Sequence, residues 1–399
     1  MSTPALLCLN AGSASLKFAV FARADCTATA AAPLPRALLR GEIDSHGGQA
    51  TLRWTDAQGQ THRSASDEPR GDIAAEVGAL LDRLLRPAGI GPITAVAHRI
   101  VHGGTRFTAA QRITPEVRVA LDALRSLAPL HQGPGLDGVD AASARLPGVP
   151  QIACFDTAFH ATQPDLARRY AIPRHWHDKG FRRYGFHGLS YDAISRQLPG
   201  LLGARAQGAV IVAHLGGGAS LCGLRALRSQ CTTMGFTALD GLVMGTRCGT
   251  LDPGLVLHWI TEEGLDAVQL TSMLYHDSGL KGVSALSGDL RTLETSSDPR
   301  AAEAIALFTA SVVHHIGALA ADLGGLDALV FTGGIGTHSA TVRAAVCQAM
   351  AWLGVSLDPL ANAAGQACIT HGDSRVPAFA LPTDEEGVMA LQAAAVLDG

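Results

Sequence analysis

Glycine and hydroxyl residues lie between two apolar runs near the start of the chain. The sequence reads ALLCLNAGSASLKFAVF, in which Asn10 to Ser15 separates the two runs. A turn of this composition offers donors to an anion, but the helix that a P-loop requires does not follow it. The segment therefore predicts a hairpin that holds an anion, beside which stands Lys17, one of only three lysines among 31 basic residues.

A second segment, GAVIVAHLGGGASLCGL, repeats this pattern half a chain later. An offset of 205 residues places Gly12 to Leu16 on Gly217 to Leu221, and apolar runs lead into both turns. Two copies of one hairpin at this separation predict a duplicated domain. In this alignment Lys17 corresponds to Cys222.

A third glycine-rich segment, LDALVFTGGIGTHSATVRAAV, predicts a strand, a glycine turn, a serine or threonine cap and an amphipathic helix. Its glycines allow a ligand to approach the backbone closely. Neither GGGAS nor GGIGTHS fits the G-x-G-x-x-G fingerprint of dinucleotide-binding folds. These turns therefore argue against a nicotinamide enzyme.

Alternating strand-like and helix-like segments position the remaining polar residues. ITAVAHRIVHGG predicts a strand, and a helix is expected from the cap Thr114 and Pro115 through VRVALDALRSL. PGVPQIACFDTAFH predicts a strand that delivers Asp156, Thr157 and His160 at its carboxyl end, where α/β proteins place working groups. The polar stretch Thr55 to Asp72 is interpreted as exposed loop.

Composition limits the classes of protein that the chain can be. Its 399 residues, 47% of them hydrophobic, can build two domains of ordinary size. A net charge of −4 without basic runs argues against nucleic acid or an anionic membrane as a partner. No apolar run approaches the ~18 residues that span a bilayer, and no signal peptide is recognised. The eight cysteines form no C-x-x-C pair, so reduced thiols and a cytoplasmic location are expected.

Taken together, the motifs resemble one family from residue 6 to about residue 390. In chain order they are NAGSASLK, HRIVHGG, APLHQGPG, FDTAFH, YGFHGLS, HLGGGAS, MGFTALDGLVMGTRCG, LDPG, FTGGIG and TDEE. They resemble the acetate kinases, members of the superfamily of acetate and sugar kinases, heat-shock chaperones and actin. The resemblance implies an α/β fold of two duplicated actin-like, ribonuclease H-like domains around an active-site cleft. The domains are expected at 1–150, completed by 386–399, and at 151–385, with the nucleotide site in the second.

The implied reaction is reversible transfer of the γ-phosphoryl of ATP to acetate, giving acetyl phosphate and ADP by direct in-line transfer. A carboxylate acceptor is already ionised at neutral pH, so no general base is needed. Acceptor, phosphoryl group and leaving ADP are all negative. Positioned cations and hydrogen-bond donors must therefore lower the barrier.

The resemblance also implies a role for individual residues. Catalytic roles fall on Asn10, Arg99, Asp156, His187 and Arg247, with His131 as a second histidine and with Ser13 and Ser15 on the first hairpin. The small apolar pocket for acetate is expected from Arg99, Val101, Leu130, Phe186 and Ala238. Nucleotide binding is expected from Lys17, His214, Leu215, Gly216, Gly217, Gly218, Asp289, Leu290, Arg291, Gly333, Gly334, Ile335, Gly336 and His338. Asn10 and Glu385 are expected to bind Mg²⁺, with Mn²⁺ as an alternative.

The chain departs from the family pattern at a few of these sites. Ala238 replaces a usual proline, which enlarges the acceptor pocket and predicts a relaxed preference between acetate and propionate. Gly217 replaces an asparagine, and Thr250 replaces an aspartate. The chain has GGIGTHS where the family has GGIGENS, and TDEE where the family has TNEE. These changes leave the nucleotide preference open. The retained GGIG favours a nucleotide over pyrophosphate as donor.

Other functions stay open at this point. A propionate or butyrate kinase of the same fold would differ in acceptor chain length. A nucleotide-gated binding protein on the same scaffold would need ATP but no carboxylate site, and Arg99, Arg247 and His187 argue against it. A nicotinamide oxidoreductase is the least favoured alternative. The resemblance further predicts a homodimer, and two domains around a cleft predict closure on substrates.

Overall fold

The fold is described from a computed structural model that covers 3–12, 15–27, 33–44, 50–66, 73–85, 90–128 and 131–399. The chain divides into two compact units. Unit 1 contains Met1–Phe159, Gly188–Gln197 and Asp384–Gly399, and unit 2 contains His160–His187 and Leu198–Thr383. The expected ranges of 1–150, completed by 386–399, and 151–385 differ from this division in the segments 151–159, 188–197 and 384–385, which group with unit 1.

Unit 1 is built on a mixed sheet of eight strands. The strands are β1 (Ala5–Ala11), β2 (Ser15–Ala22), β3 (Ala37–Asp44), β4 (Ala50–Asp56), β5 (Thr61–Ser66), β6 (Ile93–Ile100), β7 (Gln111–Arg112) and β8 (Gln151–Phe155). Their order across the sheet is β5-β4-β3-β2-β1-β6-β8-β7. The neighbours β1, β6 and β8 run parallel, so their carboxyl ends meet at one edge.

Unit 2 contains a mixed sheet of five strands. These are β9 (Val210–Leu215), β10 (Ala219–Arg225), β11 (Arg228–Thr232), β12 (Ala328–Thr332) and β13 (Ala378–Ala380), in the order β11-β10-β9-β12-β13. This order, with its antiparallel hairpins and parallel neighbours, matches β3-β2-β1-β6-β8 of unit 1. The predicted α/β class with a duplicated domain is therefore confirmed.

The strand register corrects one detail of the predicted repeat. The first hairpin closes with the pair Ala11 and Leu16, and the second with Leu215 and Ala219. The second turn is thus one residue shorter, so a constant offset cannot align both strands. Counted from the closing pair, Lys17 corresponds to Ser220 and not to Cys222.

Fourteen α-helices are found in the described residues. They are α1 (Ile73–Ala79), α2 (Pro115–Asp122), α3 (Gln132–Arg145), α4 (Arg174–Asp178), α5 (Gly188–Leu202), α6 (Pro253–Thr261), α7 (Ala267–His276), α8 (Gly279–Ser284), α9 (Leu290–Glu294), α10 (Pro299–Leu323), α11 (Gly333–His338), α12 (Ala340–Ala349), α13 (Pro359–Ala363) and α14 (Glu385–Asp398). The predicted cap of α2 is confirmed, since the Thr114 hydroxyl accepts a hydrogen bond from Val117 N. The helix ends at Asp122, earlier than predicted, and a 3₁₀ turn follows at Arg125–Leu127.

The sheet of unit 1 is buried on both faces near β1. Leu7 and Leu9 pack into one hydrophobic cluster with residues of α1 and α3. Leu6 and Cys8 face the opposite cluster, which contains residues of α5 and α14. Because successive side chains of a strand point to opposite faces, an entirely apolar run such as ALLCL suits this position.

Two expectations from the sequence are wrong. The stretch Thr55 to Asp72 is not a loop throughout, because it contains the end of β4 and all of β5. Strand β5 lies at the sheet edge, where polar side chains are tolerated, so it lacks an apolar signature. The last residues of the stretch Thr55 to Asp72, which are 67–72, lie outside the described part of the chain.

The second wrong expectation concerns long apolar segments. By length and composition alone, α10 is long and apolar enough to cross a membrane. Of its most apolar 18-residue segment, 33% is buried inside the protein. Serine and histidine residues interrupt its apolar run, which is why inspection for unbroken runs missed it. Its buried residues, among them Phe308, Val312 and Ile316, follow the spacing of one helix face. This is the pattern of a helix that packs one face on a core.

Buried histidines couple the stability of the fold to pH. His98 is 2% exposed, its Nε2 lies 2.7 Å from Gln151 Oε1, and burial lowers its pKa to about 4. The unfolded chain takes up a proton near pH 6.5, so stability falls as the pH drops from 6.5 towards 4. We expect His98→Gln to reduce this loss by about 2 kcal/mol between pH 7 and pH 4.5, measured by urea unfolding. Equal losses in variant and parent would contradict the assignment.

Candidate active site

The first group of predicted site residues lies at the parallel edge of unit 1. Asn10 is near the end of β1, Arg99 near the end of β6, and Asp156 directly follows β8. Glu385 opens α14. Sequence positions that are far apart therefore converge because three neighbouring strands end at the same place.

Arg99 is held rigidly within this group. Its Nε donates to Asp156 Oδ1 and Oδ2 at 3.1 and 3.0 Å, and its Nη2 donates to Oδ2 at 2.5 Å. Its Nη1 donates to Asn10 Oδ1 at 3.1 Å. Burial opposes the positive charge, but Asp156 and Glu385 outweigh burial and raise the pKa of Arg99. The guanidinium is therefore a fixed cation with a defined orientation.

Glu385 completes the group. Its Oε2 accepts a hydrogen bond of 3.4 Å from Asn10 Nδ2. Burial raises the pKa of the Glu385 carboxyl; Asp156 and Glu386 add to the rise, whereas Arg99 and Lys17 oppose it. Lys17, exposed on β2 and paired with Asn10 in the hairpin, thus belongs to the charges around Glu385. The other predicted nucleotide residues are in unit 2.

Two further sets of contacts fix the backbone at Asp156 and at Glu385. Gly188 N donates to Asp156 O at 2.9 Å, and a Cβ at Gly188 would lie 2.1 Å from that oxygen, so only glycine fits there. Asp384, the departure in TDEE, caps α14 by accepting from Gly387 N. Its Oδ1 also accepts from Arg40 Nη2 at 2.5 Å. The helix that carries Glu385 is thereby tied to β3.

The oxygen donors of this group fit one kind of metal site. Among the described residues no set of three or more histidine, cysteine, aspartate or glutamate side chains could enclose a metal ion. The group instead offers a few hard oxygen donors, which are the carboxylates of Glu385 and Asp156 and the amide of Asn10. Magnesium keeps several waters and takes one or two protein ligands together with substrate phosphates, so the donor set suits magnesium bound with a nucleotide.

The predicted nucleotide residues of unit 2 come together at two glycine turns. Gly216 to Gly218 connect β9 with β10, and Gly333 begins α11. Gly333 has φ of 77°, and a Cβ there would lie 2.6 Å from Leu215 O. A Cβ at Gly216 would lie 3.9 Å from Gly334 N, so the two turns are adjacent. The bare position Gly217 is exposed, with no atom within 4 Å of a Cβ built on it.

His187 is fixed beside the first of these turns. It occupies the left-handed region with φ of 59°, directly before α5. Its Nδ1 lies 2.8 Å from Ser220 Oγ, and its ring stacks on His214 with centroids 4.3 Å apart. A Cβ at Gly218 would lie 3.3 Å from His187 Nε2. The Nε2 edge therefore faces the glycine turn.

A second histidine supports the backbone that leads to His187. His160 is 1% exposed, with Nε2 2.9 Å from Phe186 O and Nδ1 2.9 Å from Ser229 Oγ. Burial lowers the pKa of His160 to about 4, so its ring is neutral at physiological pH. Nε2–H then donates to the Phe186 carbonyl, and the neutral ring accepts from the serine.

Arg247 also lies beside this turn. A Cβ at Gly218 would be 3.6 Å from Arg247 Nη1, and that nitrogen donates to Ala238 O at 3.2 Å. Gly245, two residues before it, donates from its backbone N to Gly217 O at 3.2 Å. A cation and an imidazole edge thus border the glycine turn, an arrangement that can stabilise negative charge on a phosphoryl group.

The remaining predicted residues are placed as follows. Within the acceptor set, Val101 is buried in unit 1, whereas Phe186 and Ala238 belong to unit 2. Asp289 and Arg291 form an exposed ion pair, with Nη2 2.7 Å from Oδ2. His131 precedes α3, and His338 ends α11. Leu130 and Ser13 lie outside the described residues.

Sequence reasoning missed two supporting residues. Ser220 lies within the repeated GGGAS motif, so the repeat itself was the available signal for its contact with His187. Arg343 is 1% exposed and donates to Thr337 O at 2.7 Å, at the end of the GGIGTHS segment. Nothing in the surrounding sequence distinguishes it from the many surface arginines. Its burial is visible only in the structure.

Comparison with known proteins identifies the family to which the chain belongs. The acetokinase family matches residues 5–391. An acetate kinase of Rhodopseudomonas palustris is 47% identical over 399 residues, which is 99% of this chain and 98% of the relative. The crystal structure of Porphyromonas gingivalis acetate kinase has a TM-score of 0.84 at 34% identity, covering 99% of this chain and 100% of its own. A propionate kinase from Francisella tularensis has a TM-score of 0.88 at 32% identity, covering 98% and 99%. The chain belongs to the acetokinase family.

Proposed function

We propose that the chain catalyses the reversible transfer of the ATP γ-phosphoryl to acetate, giving acetyl phosphate and ADP. The observation that carries the proposal is the rigid placement of Arg99 by Asp156 and Asn10 in a chain of the acetokinase family. A planar guanidinium in fixed orientation suits both carboxylate and phosphate oxygens. The acetate kinases that are up to 47% identical support the same activity.

The residues act by position and charge. A carboxylate oxygen of acetate attacks the γ-phosphorus while the bond to the bridging oxygen breaks, and ADP leaves. Because acetate is already ionised, Asp156 serves to orient Arg99 and not to remove a proton. We propose that Arg99 and Arg247 compensate the negative charge of the transferring phosphoryl group. His187 Nε2 forms a hydrogen bond with the same group. Both arginines are required because the reacting groups all carry negative charge.

We propose that Glu385 and Asn10 are the protein groups that hold Mg²⁺ with water and phosphate oxygens, and Mn²⁺ can replace it. The bound ion would supply compensation for the negative charge of the nucleotide phosphates. Asn10 already orients Arg99 through Oδ1 and contacts Glu385 through Nδ2. One side chain therefore links the guanidinium to the carboxylate.

The nucleotide is assigned to unit 2. The adjacent turns Gly216 to Gly218 and Gly333 to Gly336 let phosphates approach the backbone without side-chain obstruction. The exposed space at Gly217, where the family carries asparagine, removes one side-chain amide. We therefore expect discrimination among nucleotides to depend on backbone donors more than on a side chain at that position.

Trapping of the acyl phosphate tests this function. The protein is incubated with hydroxylamine, Mg²⁺ and each pairing of acetate, propionate or butyrate with ATP, GTP or pyrophosphate. Hydroxamate is expected from acetate with ATP. Nucleotide binding without hydroxamate for any acceptor would contradict the proposal and favour a nucleotide-gated binding protein.

Acceptor preference supplies a sharper test, and propionate kinase is the second candidate. Ala238 stands where the family usually has proline, and its carbonyl accepts a hydrogen bond from Arg247 Nη1. We expect propionate to be tolerated here, and Ala238→Pro to lower the propionate-to-acetate ratio of kcat/KM by about tenfold. The hydroxamate assay measures both substrates, and an unchanged KM for ATP is the control. A ratio unaffected by the substitution would remove Ala238 from the pocket.

We further propose a cytoplasmic homodimer. The cysteines are free thiols, as expected in a reducing compartment. Apolar side chains of α6 and α7 are exposed, with Leu257 at 62% and Val268 at 77%, and no residue of α6 is buried. A second copy of the chain would cover such a surface. Light scattering is expected to give twice the mass of one chain, and a monomer would contradict this.

A further inference from the structure

A buried arginine outside the residues assigned above joins three helices of unit 2. Arg343, on α12, is 1% exposed and is among the largest fully buried side chains. Its Nη1 donates to Gly336 O at 3.1 Å and to Thr337 O at 2.7 Å. Its Nε and Nη2 donate to Asn362 Oδ1 and Asn362 O at 2.8 and 3.0 Å. The guanidinium therefore bridges α11 and α13.

The acceptors of this arginine are unusual. All four are neutral carbonyl oxygens, and no carboxylate pairs with Arg343 among the described residues. Burial of a cation without an anionic partner is costly unless every donor is satisfied. An ordinary leucine or methionine would fill the same space at lower cost. The arginine is therefore suited to fixing the carbonyls that it contacts.

Those carbonyls belong to the segment that carries the second glycine turn. Gly336 and Thr337 lie in α11, four residues or fewer from Gly333 and Gly334. The hydroxyl of Ser339, the next residue after α11, donates to Glu294 Oε1 at 2.5 Å and accepts from Val342 N at 3.1 Å. Glu294 ends α9, which begins directly after Asp289. Two separate segments assigned to the nucleotide are thus connected by side chains.

We propose that Arg343, with Ser339 and Glu294, is a positioning group for the nucleotide. It acts through α11 and α9, and none of the three side chains needs to touch the ligand. Arg343 fixes Gly333 to Gly336 against α13, while the serine-glutamate contact sets that turn relative to Asp289 and Arg291. This inference rests on the proposed function in one respect, namely that these segments bind ATP or ADP.

Direct nucleotide binding tests the inference independently of catalysis. The dissociation constant of ADP is measured by calorimetry for the parent, Arg343→Met and Arg343→Lys. We expect Arg343→Met to weaken ADP binding at least about tenfold, since it removes four bonds from a charged donor. Arg343→Lys is expected to recover part of the affinity, because an ammonium can reach the Gly336 and Thr337 carbonyls but cannot keep both Asn362 contacts.

A second arginine of unit 2, exposed at the end of β10, supplies a control outside the nucleotide segments. Arg225 Nη2 donates to Leu323 O at the end of α10, and this contact involves neither nucleotide segment. Arg225→Met is expected to leave the affinity for ADP unchanged, and the melting temperature of each variant shows whether it is folded at the assay temperature. In kinetic assays Arg343→Met should raise the KM for ATP and leave the KM for acetate within about twofold, since the acceptor residues are untouched.

The outcomes distinguish this inference from the proposed function. An unchanged ADP affinity in a folded Arg343→Met variant would overturn the positioning role. Equal losses of affinity in Arg343→Met and Arg225→Met would show a general loss of stability and would also overturn it. Strong ADP binding by a parent protein that yields no hydroxamate would contradict the kinase activity while leaving the Arg343 comparison intact.

Discussion

Arg99→Leu is expected to lower kcat for acetyl phosphate formation by about 10³ and to destabilise unit 1 by about 3 kcal/mol. The substitution removes a fixed cation from the proposed phosphoryl site. It also leaves Asp156, which is 1% exposed, without the guanidinium that donates three hydrogen bonds to it. Hydroxamate assays and urea unfolding measure the two effects separately.

A double variant separates catalysis from stability. Arg99→Leu combined with Asp156→Asn removes the charge on both partners, so the unpaired buried carboxylate disappears. We expect this variant to recover much of the lost stability and none of the lost activity. Recovery of activity together with stability would show that Arg99 serves only the fold. Arg99→Lys is expected to remain at least about tenfold impaired, because an ammonium cannot copy the bidentate contact.

His187→Asn is expected to lower kcat by about 10² to 10³ with little change in the KM for acetate. Asparagine tolerates the left-handed backbone that His187 adopts with φ of 59°, so the turn before α5 is retained. The shorter amide cannot reach as far as the imidazole Nε2 that faces Gly218. Single-turnover measurements with ATP and acetate isolate the chemical step from product release.

Ser220→Ala provides the control for His187. Ser220 is fully buried and lies 2.8 Å from His187 Nδ1, so Ser220→Ala removes this contact at Nδ1 but leaves the stacking on His214 and the Nε2 atom in place. A loss of about tenfold is expected, smaller than that of His187→Asn. If His187→Asn retained the parental kcat, the assignment of a hydrogen bond to the transferring group would be untenable.

The repeat was predictable because its signal is local. Glycine turns between apolar runs appear in the sequence at both hairpins, and the sheets of the two units repeat the same order of strands. The exact correspondence was not predictable, since a turn shorter by one residue shifts Ser220 onto the position of Lys17. Register is set by backbone pairing, and a constant offset carries no information about it.

The site residues were found by resemblance, whereas their supporting contacts were not. Arg99, Asp156 and Glu385 stand in specific motifs, and the structure brings all three to one edge of unit 1. The burial of Arg343 depends on how α11, α12 and α13 pack, which no local pattern records. Strand β5 was missed for a related reason, because an edge strand with polar side chains has the same sequence pattern as a loop.

Helix α14 completes the core of unit 1 but is synthesised after all of unit 2. This helix packs Val388, Met389 and Ala393 against the face of β1 that carries Leu6 and Cys8. It also belongs to unit 1, although all of unit 2 is translated before it. A nascent chain can therefore complete the core of unit 2 while this face of the first sheet still lacks α14. Until α14 docks, that apolar face is a binding surface for chaperones and a route to aggregation.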